Sequence, residues 1–271
     1  MLPELHILGL NIQMFGVMLA LALVSSGVLA AWRLKELGLP VDWAYEMLFC
    51  AGAGGVAGAK LWYVVEKGDL GSLLSGTGLV FYGGAIGGAL AVMAWAHRRG
   101  ILDHRLFDMG APGLAIGYAV GRLGCQLAGD GDYGIPSNLP WAMAYPDGTV
   151  PTTVRVHPTP IYEFLVMGVV TWWLWSRRDK ARPGTLIGWW AVLAGVERFL
   201  VEFIRRNDDI LGPFSLAQLV SVVLVVAGAW WLLRARSRAQ SSTMVPSPRA
   251  SAPRKARAAA AASSSPTPTD L

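Results

Sequence analysis

The chain is predicted to be an all-α polytopic membrane protein, with seven transmembrane helices, a small head outside the membrane and a disordered C-terminal tail. Three observations carry that prediction. Apolar residues fill 54% of the 271 positions and charged residues only 15%, with a mean hydropathy of +0.43, which lies outside the range of ordinary globular chains. Seven segments come close to the ~20 mostly apolar residues that one span requires. Lys and Arg gather in alternate connections between those segments, as they do in multi-pass proteins.

The spans follow in order. The first, 13–32, is succeeded by Arg33 and Lys35, and the second is 43–65. The third, 79–97, joins the fourth, 106–128, through Arg98, Arg99 and Arg105. The fifth, 158–176, joins the sixth, 184–204, through Arg177, Arg178, Lys180 and Arg182, and the seventh is 214–233. These basic connections are expected in the cytoplasm, which puts the N-terminus outside and the C-terminus inside. The opposite connections hold Lys67, Arg155 and the pair Arg205–Arg206, and that last pair asks for a reason other than topology. The opening MLPELHILGL lacks a basic region and no cleavage site follows, so the first apolar run is expected to be retained. Cys50 and Cys125 fall in separate spans, which argues against a disulfide.

Residues 129–157, rich in Gly, Pro and Asp, with Asp-Gly at 130–131 and 147–148 and the apolar patch LPWAMAY, predict a folded cap on the outer surface. The chain thus divides into a membrane domain, 1–233, and a basic Ala/Ser/Pro-rich tail, 234–271, expected to be disordered. The seven Lys/Arg of the tail either touch anionic lipids or only fix topology.

An ionisable residue inside a span costs at least about 2.5–3.5 kcal/mol near its centre, so each needs a partner, a cavity or an interface. Arg122 stands near the outer end of the fourth span, in GRLGCQLAGDGDYG. Arg198, Glu202 and Arg205 recur at i, i+4 and i+7, which groups them on one helix face. Glu202 alone leaves one arginine of that face unbalanced, and Arg122 adds another, so a surplus of positive charge awaiting an anion is expected. Lys60 lies among the small residues AGAGGVAGAK, where helices can approach closely or the lysine can snorkel outward. Glu163 and Tyr162 open the fifth span after HPTP, where an acid is favoured by the helix dipole alone. His157 is a lone loop histidine, with structural and catalytic roles both open.

At these residues the sequence resembles the prolipoprotein diacylglyceryl transferase family of bacterial inner-membrane enzymes. The resemblance covers nearly all of 13–233 and rests on ordered motifs: FYGG-AIGG at 81–88, FDMGAPGLAIGYAVGRLG at 107–124, DYG and LPWAMAYP in the head, HPTPIYE at 157–163, ERFLVEFIRR at 197–206 and FSLAQLVS. It implies a periplasmic head, phosphatidylglycerol as lipid donor and a preprolipoprotein lipobox cysteine as acceptor, within a bath of membrane lipids. No cofactor, metal or nucleic acid is expected. Arg122 matches the family's essential arginine, Asp108 an acid in the same helix, Gly134 the glycine that closes the head motif, and Arg198, Glu202 and Arg205 the R-x-x-x-E-x-x-R face. Lys60 stands for an arginine, Tyr82 for a histidine, Cys125 for an asparagine and Phe15 for a tyrosine, and the head glutamate becomes Asp130 or Asp132 with one residue inserted.

Thiolate attack on the lipid glycerol carbon displaces glycerol phosphate, so negative charge grows on the leaving group. Arginine stays protonated and offers paired donors to phosphate oxygens, which makes Arg122 and Arg198 the expected clamp, oriented with Arg205 by Glu202. Tyr82 completes the expected catalytic set. Lys60, Asp108, Cys125, Gly134, His157, Tyr162, Glu163 and Arg205 are expected to bind substrate. A thiol of ordinary pKa near 8.5 needs a base, and Tyr82, His157 and an aspartate are all open. Three functions fit: the transferase itself, an enzyme of the same fold with another acceptor, and a non-catalytic protein that binds phospholipid or lipoprotein.

Overall fold

A computed structural model describes residues 2–7, 10–68, 80–207 and 209–244. The connection 69–79 and residues 245–271, most of the expected disordered tail, lie outside the described residues. The hairpin β1 (Glu4–Ile7) and β2 (Leu10–Gln13) leads into α1 (Met14–Glu36), α2 (Asp42–Lys67), α3 (Phe81–Arg98) and α4 (His104–Ala128). The head carries β3 (Met143–Tyr145) and β4 (Thr152–Val156), then come α5 (Thr159–Arg177) and α6 (Thr185–Glu202), the hairpin β5 (Asp209–Leu211) and β6 (Phe214–Ser215), and α7 (Leu216–Met244).

The chain is a polytopic membrane protein with seven helices among the described residues, each within a few residues of its expected span except α7, which continues to Met244. On length and composition, Met14–Glu36, Asp42–Lys67 and Leu216–Ala235 are apolar enough to cross a membrane, whereas α4, α5 and α6 carry the charged side chains. The three antiparallel two-stranded hairpins are an addition to the all-α expectation. They sit in turns too short and too irregular to show the alternation by which a strand is read from sequence.

Packing explains the small residues. In α2 and α3 the spacings Gly54–Gly58 and Gly83–Gly87 face one another, and a Cβ on Gly54 would lie 2.7 Å from the Gly87 carbonyl oxygen while one on Gly58 would lie 2.8 Å from the Gly87 Cα. Backbones at that distance gain dispersion contacts, the main source of helix association where lipid removes the hydrophobic driving force. The centre of the bundle is α4. Its alanine stripe Ala111, Ala115 and Ala119 is fully buried against Met167, Val170 and Leu174 of α5 and Leu186 and Ala194 of α6.

At the end of the bundle opposite the head, ion pairs tie helix ends together: Arg33 to Asp179 (2.6 Å), Arg178 to Glu36 (2.8 Å) and Arg99 to Glu46 (2.6 Å). Asp108 belongs to this end. Its carboxylate accepts from the backbone N–H groups of Gly184 (2.5 Å) and Ile187 (3.0 Å), so it caps α6 from a neighbouring helix. Fourteen residues separate it from Arg122, about 21 Å of helix. Asp108, expected from the family resemblance to bind substrate, thus stands at the opposite end of α4 from Arg122 and makes capping contacts with α6. Asp108→Ala should lower stability by about 1–2 kcal/mol. Thermal unfolding of the purified protein should show the loss, while the KM for lipid stays unchanged.

Candidate active site

Where α4 ends, α5 begins and α6 ends, three arginines converge. Arg122 lies two turns before the α4 C-terminus. Its Nη1 is 2.5 Å from Asp132, its Nε 3.0 Å from Glu163, and its guanidinium stands over the Tyr118 ring at 5.0 Å. Arg198 pairs with Glu202 on the next turn of α6 at 2.5 Å and reaches Glu163 at 4.0 Å. Helix α6 stops at Glu202, so Arg205 stands in the turn beyond and not on the helix face. From there it pairs with Asp132, and it lies 3.5 Å from Glu163 and 3.7 Å from Glu202.

Glu163 is the hub. It is fully buried one turn into α5, and three guanidinium groups surround it. The Tyr118 hydroxyl lies 3.1 Å from Glu163 and 3.3 Å from Glu197, and it accepts from Arg122. Glu202 is held by donors from Ser215 (2.5 Å) and Asn207 (2.7 Å). The expected surplus of positive charge is corrected here: Asp132, Glu163, Glu197 and Glu202 surround the three arginines. Reading charges along one helix missed partners that come from the head and from α5.

The head closes over this cluster. Asp132 donates order in two directions: its carboxylate bridges Arg122 and Arg205, and its backbone carbonyl accepts from the Thr159 hydroxyl (2.5 Å). Burial would push the Asp132 carboxyl up, but Arg205 and Arg122 outweigh it and hold it below the ordinary range. Asp130 goes the other way, raised by burial and then by the charge of Asp132. The Cys125 thiol and the two aspartates lie within 4.8 Å of one another. Gln126 anchors the head to α4 by accepting from the Tyr145 hydroxyl at 2.9 Å. The Tyr162 hydroxyl accepts from the Trp141 indole at 2.7 Å and lies 3.2 Å from His157 Nδ1.

Gly134 sits where the head touches the turn beyond α6. Its N–H donates to the His157 carbonyl (2.8 Å), and the next N–H, of Ile135, donates to the Ile204 carbonyl (2.9 Å). A Cβ there would strike the Ile204 oxygen and stand 2.9 Å from the His157 Cβ. Gly134→Ala should cost about 1–3 kcal/mol and unseat Asp132. The expected result is a folded variant with lower thermal stability and little activity.

Of the expected residues, Arg122, Glu163, Arg198, Glu202 and Arg205 come together, and Gly134, Cys125, His157 and Tyr162 frame the head side. Lys60 and Tyr82 belong to the α2–α3 pair, near where Val80 N–H donates to the Ala59 carbonyl (3.4 Å), and Tyr82 is 41% exposed. Sequence reading passed over Tyr118, Glu197 and Thr159. Tyr118 stands one turn before Arg122 and Glu197 adjoins Arg198, and polar residues so placed in apolar segments are the signal that was available.

A multi-pass bundle with a guanidinium–carboxylate cluster under a folded cap defines a polytopic membrane protein with a buried charged site at the end of its helices. The sequence pattern of the prolipoprotein diacylglyceryl transferase family matches residues 3–234, and the chain belongs to that family. Similar relatives are phosphatidylglycerol–prolipoprotein diacylglyceryl transferases of Clostridium tetani (28% identical over 246 residues, 87% of this chain and 98% of the relative), Methylobacillus flagellatus (31% identical, 84% and 94%) and Pseudomonas putida strain F1 (31% identical, 85% and 93%).

Proposed function

We propose that the protein transfers a diacylglyceryl group from phosphatidylglycerol to the lipobox cysteine of a preprolipoprotein. The observation that carries this reading is the Asp132 carboxylate between Arg122 and Arg205: an anion already occupies the place where a lipid phosphate would sit. Asp132 is the most exposed of the carboxylates paired with these arginines, with 28% of its side chain open, and it belongs to the head, so it is the one that can yield to a phosphate. Arg122, Arg198 and Arg205 then bind the phosphate, and Glu163, Glu202 and Tyr118 hold them in place.

In the reaction the cysteine sulfur attacks the lipid glycerol carbon and a C–S bond forms. The C–O bond to phosphate breaks, its electron pair stays on the oxygen, and glycerol phosphate leaves. The arginines stabilise that growing charge. The thiol proton goes to Asp130, whose raised pKa suits it to accept one and which stands beside the arginines without an ion pair among the described residues. Activity should then fall as pH drops through the raised Asp130 pKa, because the protonated carboxyl cannot accept. Asp130→Asn should be slow at every pH. If that variant keeps the wild-type rate and acid limb, the base is elsewhere, and Tyr82→His and His157→Gln become the next comparisons.

The head and the N-terminus are placed in the periplasm and the C-terminus in the cytoplasm of a bacterial inner membrane, on the Lys/Arg distribution. Purified protein, phosphatidylglycerol and a lipobox peptide test the function. Thioether-linked diacylglyceryl peptide and free glycerol phosphate are expected. Lipid binding with no modified peptide would instead support the reading with another acceptor, which Tyr82 and Cys125 favour, or the non-catalytic one.

A further inference from the structure

A second place for an anion lies at the other end of α5 and α6. Between these helices a groove of about 350 Å³ is lined by Trp173, Arg177, Lys180, Thr185, Leu186 and Trp189. The two indoles meet edge-on at 5.8 Å, and the Arg177 guanidinium stacks over Trp173 at 5.0 Å. No carboxylate lines the groove. The nearby Arg33 and Arg178 are both spent in ion pairs with Glu36 and Asp179. Arg177 and Lys180 make no ion pair among the described residues, so their charge faces the groove uncompensated. The α6 N-terminus adds nothing to this, because Asp108 already takes its N–H groups.

The apolar surface beside the groove says what kind of anion fits. Val166 and Val169 precede Trp173 at helical spacing on α5, and Val196 and Leu200 follow Trp189 on α6. They are 45%, 63%, 41% and 60% exposed. From Arg177 back to Val166 is about 16 Å of helix, close to one leaflet of a hydrocarbon core of ~30 Å. A free phosphate has no use for such a track, whereas an acyl chain does. Tryptophan and basic side chains at a helix end are the groups that meet phospholipid headgroups.

We propose that this groove binds the phosphate headgroup of an anionic phospholipid, with an acyl chain along the α5–α6 seam, as a resident lipid site separate from the arginine–carboxylate cluster. The inference does not depend on the transfer reaction. The test is native mass spectrometry of the full chain from phosphatidylcholine nanodiscs doped with dioleoyl phosphatidic acid. Wild type should retain the acidic lipid. Arg177→Gln/Lys180→Gln should bind it about 25-fold more weakly, at about fivefold for each cation removed. Trp189→Ala, which leaves both cations, should also weaken retention. Retention in the double variant equal to wild type, equal retention of phosphatidylcholine, or displacement of the lipid by millimolar inorganic phosphate would each overturn the proposal; the last would make free phosphate the occupant.

Discussion

Arg122→Ala is expected to lose transfer activity by a factor of 10²–10³ or more, the scale for removing a donor that faces developing charge. It is also expected to unfold more easily than wild type. Sequence chemistry alone makes Arg122 a reagent whose loss leaves the bundle intact. The structure makes it a partner of Asp132 and of the fully buried Glu163 as well, so alanine leaves those carboxylates short of one counter-charge. Removing one member of a buried pair costs about 3–5 kcal/mol. Arg122→Lys separates the two effects. It restores charge and with it most of the stability, but an ammonium cannot reach Asp132, Glu163 and Tyr118 at once, so turnover should stay low. Detergent-phase thermal unfolding and product formation, measured on both variants, distinguish them. An alanine variant with near-normal turnover would remove Arg122 from the site.

Glu163→Gln should be the most destabilising isosteric change in the protein. The amide keeps the volume and can still bond to Tyr118, but it leaves Arg122, Arg198 and Arg205 facing one another without their shared carboxylate. The expected loss is about 3–5 kcal/mol. A melting temperature within error of wild type would show that Asp132, Glu197 and Glu202 suffice to balance the cluster, and that Glu163 is not its hub.

The seven helices were legible because a bilayer leaves a chain few options: long apolar segments, with basic residues marking alternate turns. The close α2–α3 packing was legible in the Gly spacing of AGAGGVAG and GGAIGG for the same reason. The site was legible only in part. Arg122, Arg198, Glu202 and Arg205 stand out because charge inside an apolar segment is costly. Glu163 did not, since an acid at a helix start has a sufficient local explanation in the dipole, and only the third dimension shows that it faces three arginines. Asp130 and Asp132 are equivalent in a sequence that reads GDGDYG; the hydrogen bond from Thr159 to the Asp132 carbonyl, and the seating of Gly134 on Ile204, decide which one enters the cluster. Asp108, which the family motif groups with Arg122, lies about 21 Å of helix away from it, a separation that the motif does not display.

The central claim is that the phosphate of phosphatidylglycerol meets the protein at the cluster of Arg122, Arg198 and Arg205. It is tested most directly by photolabelling the reconstituted protein with a phosphatidylglycerol that carries a diazirine on its glycerol headgroup, followed by peptide mapping. Label is expected on peptides that hold Arg122, Asp132, His157 or Arg198, with its loss from those peptides in Arg122→Lys. Label confined to the α5–α6 groove around Arg177, with none at the cluster, would contradict that claim.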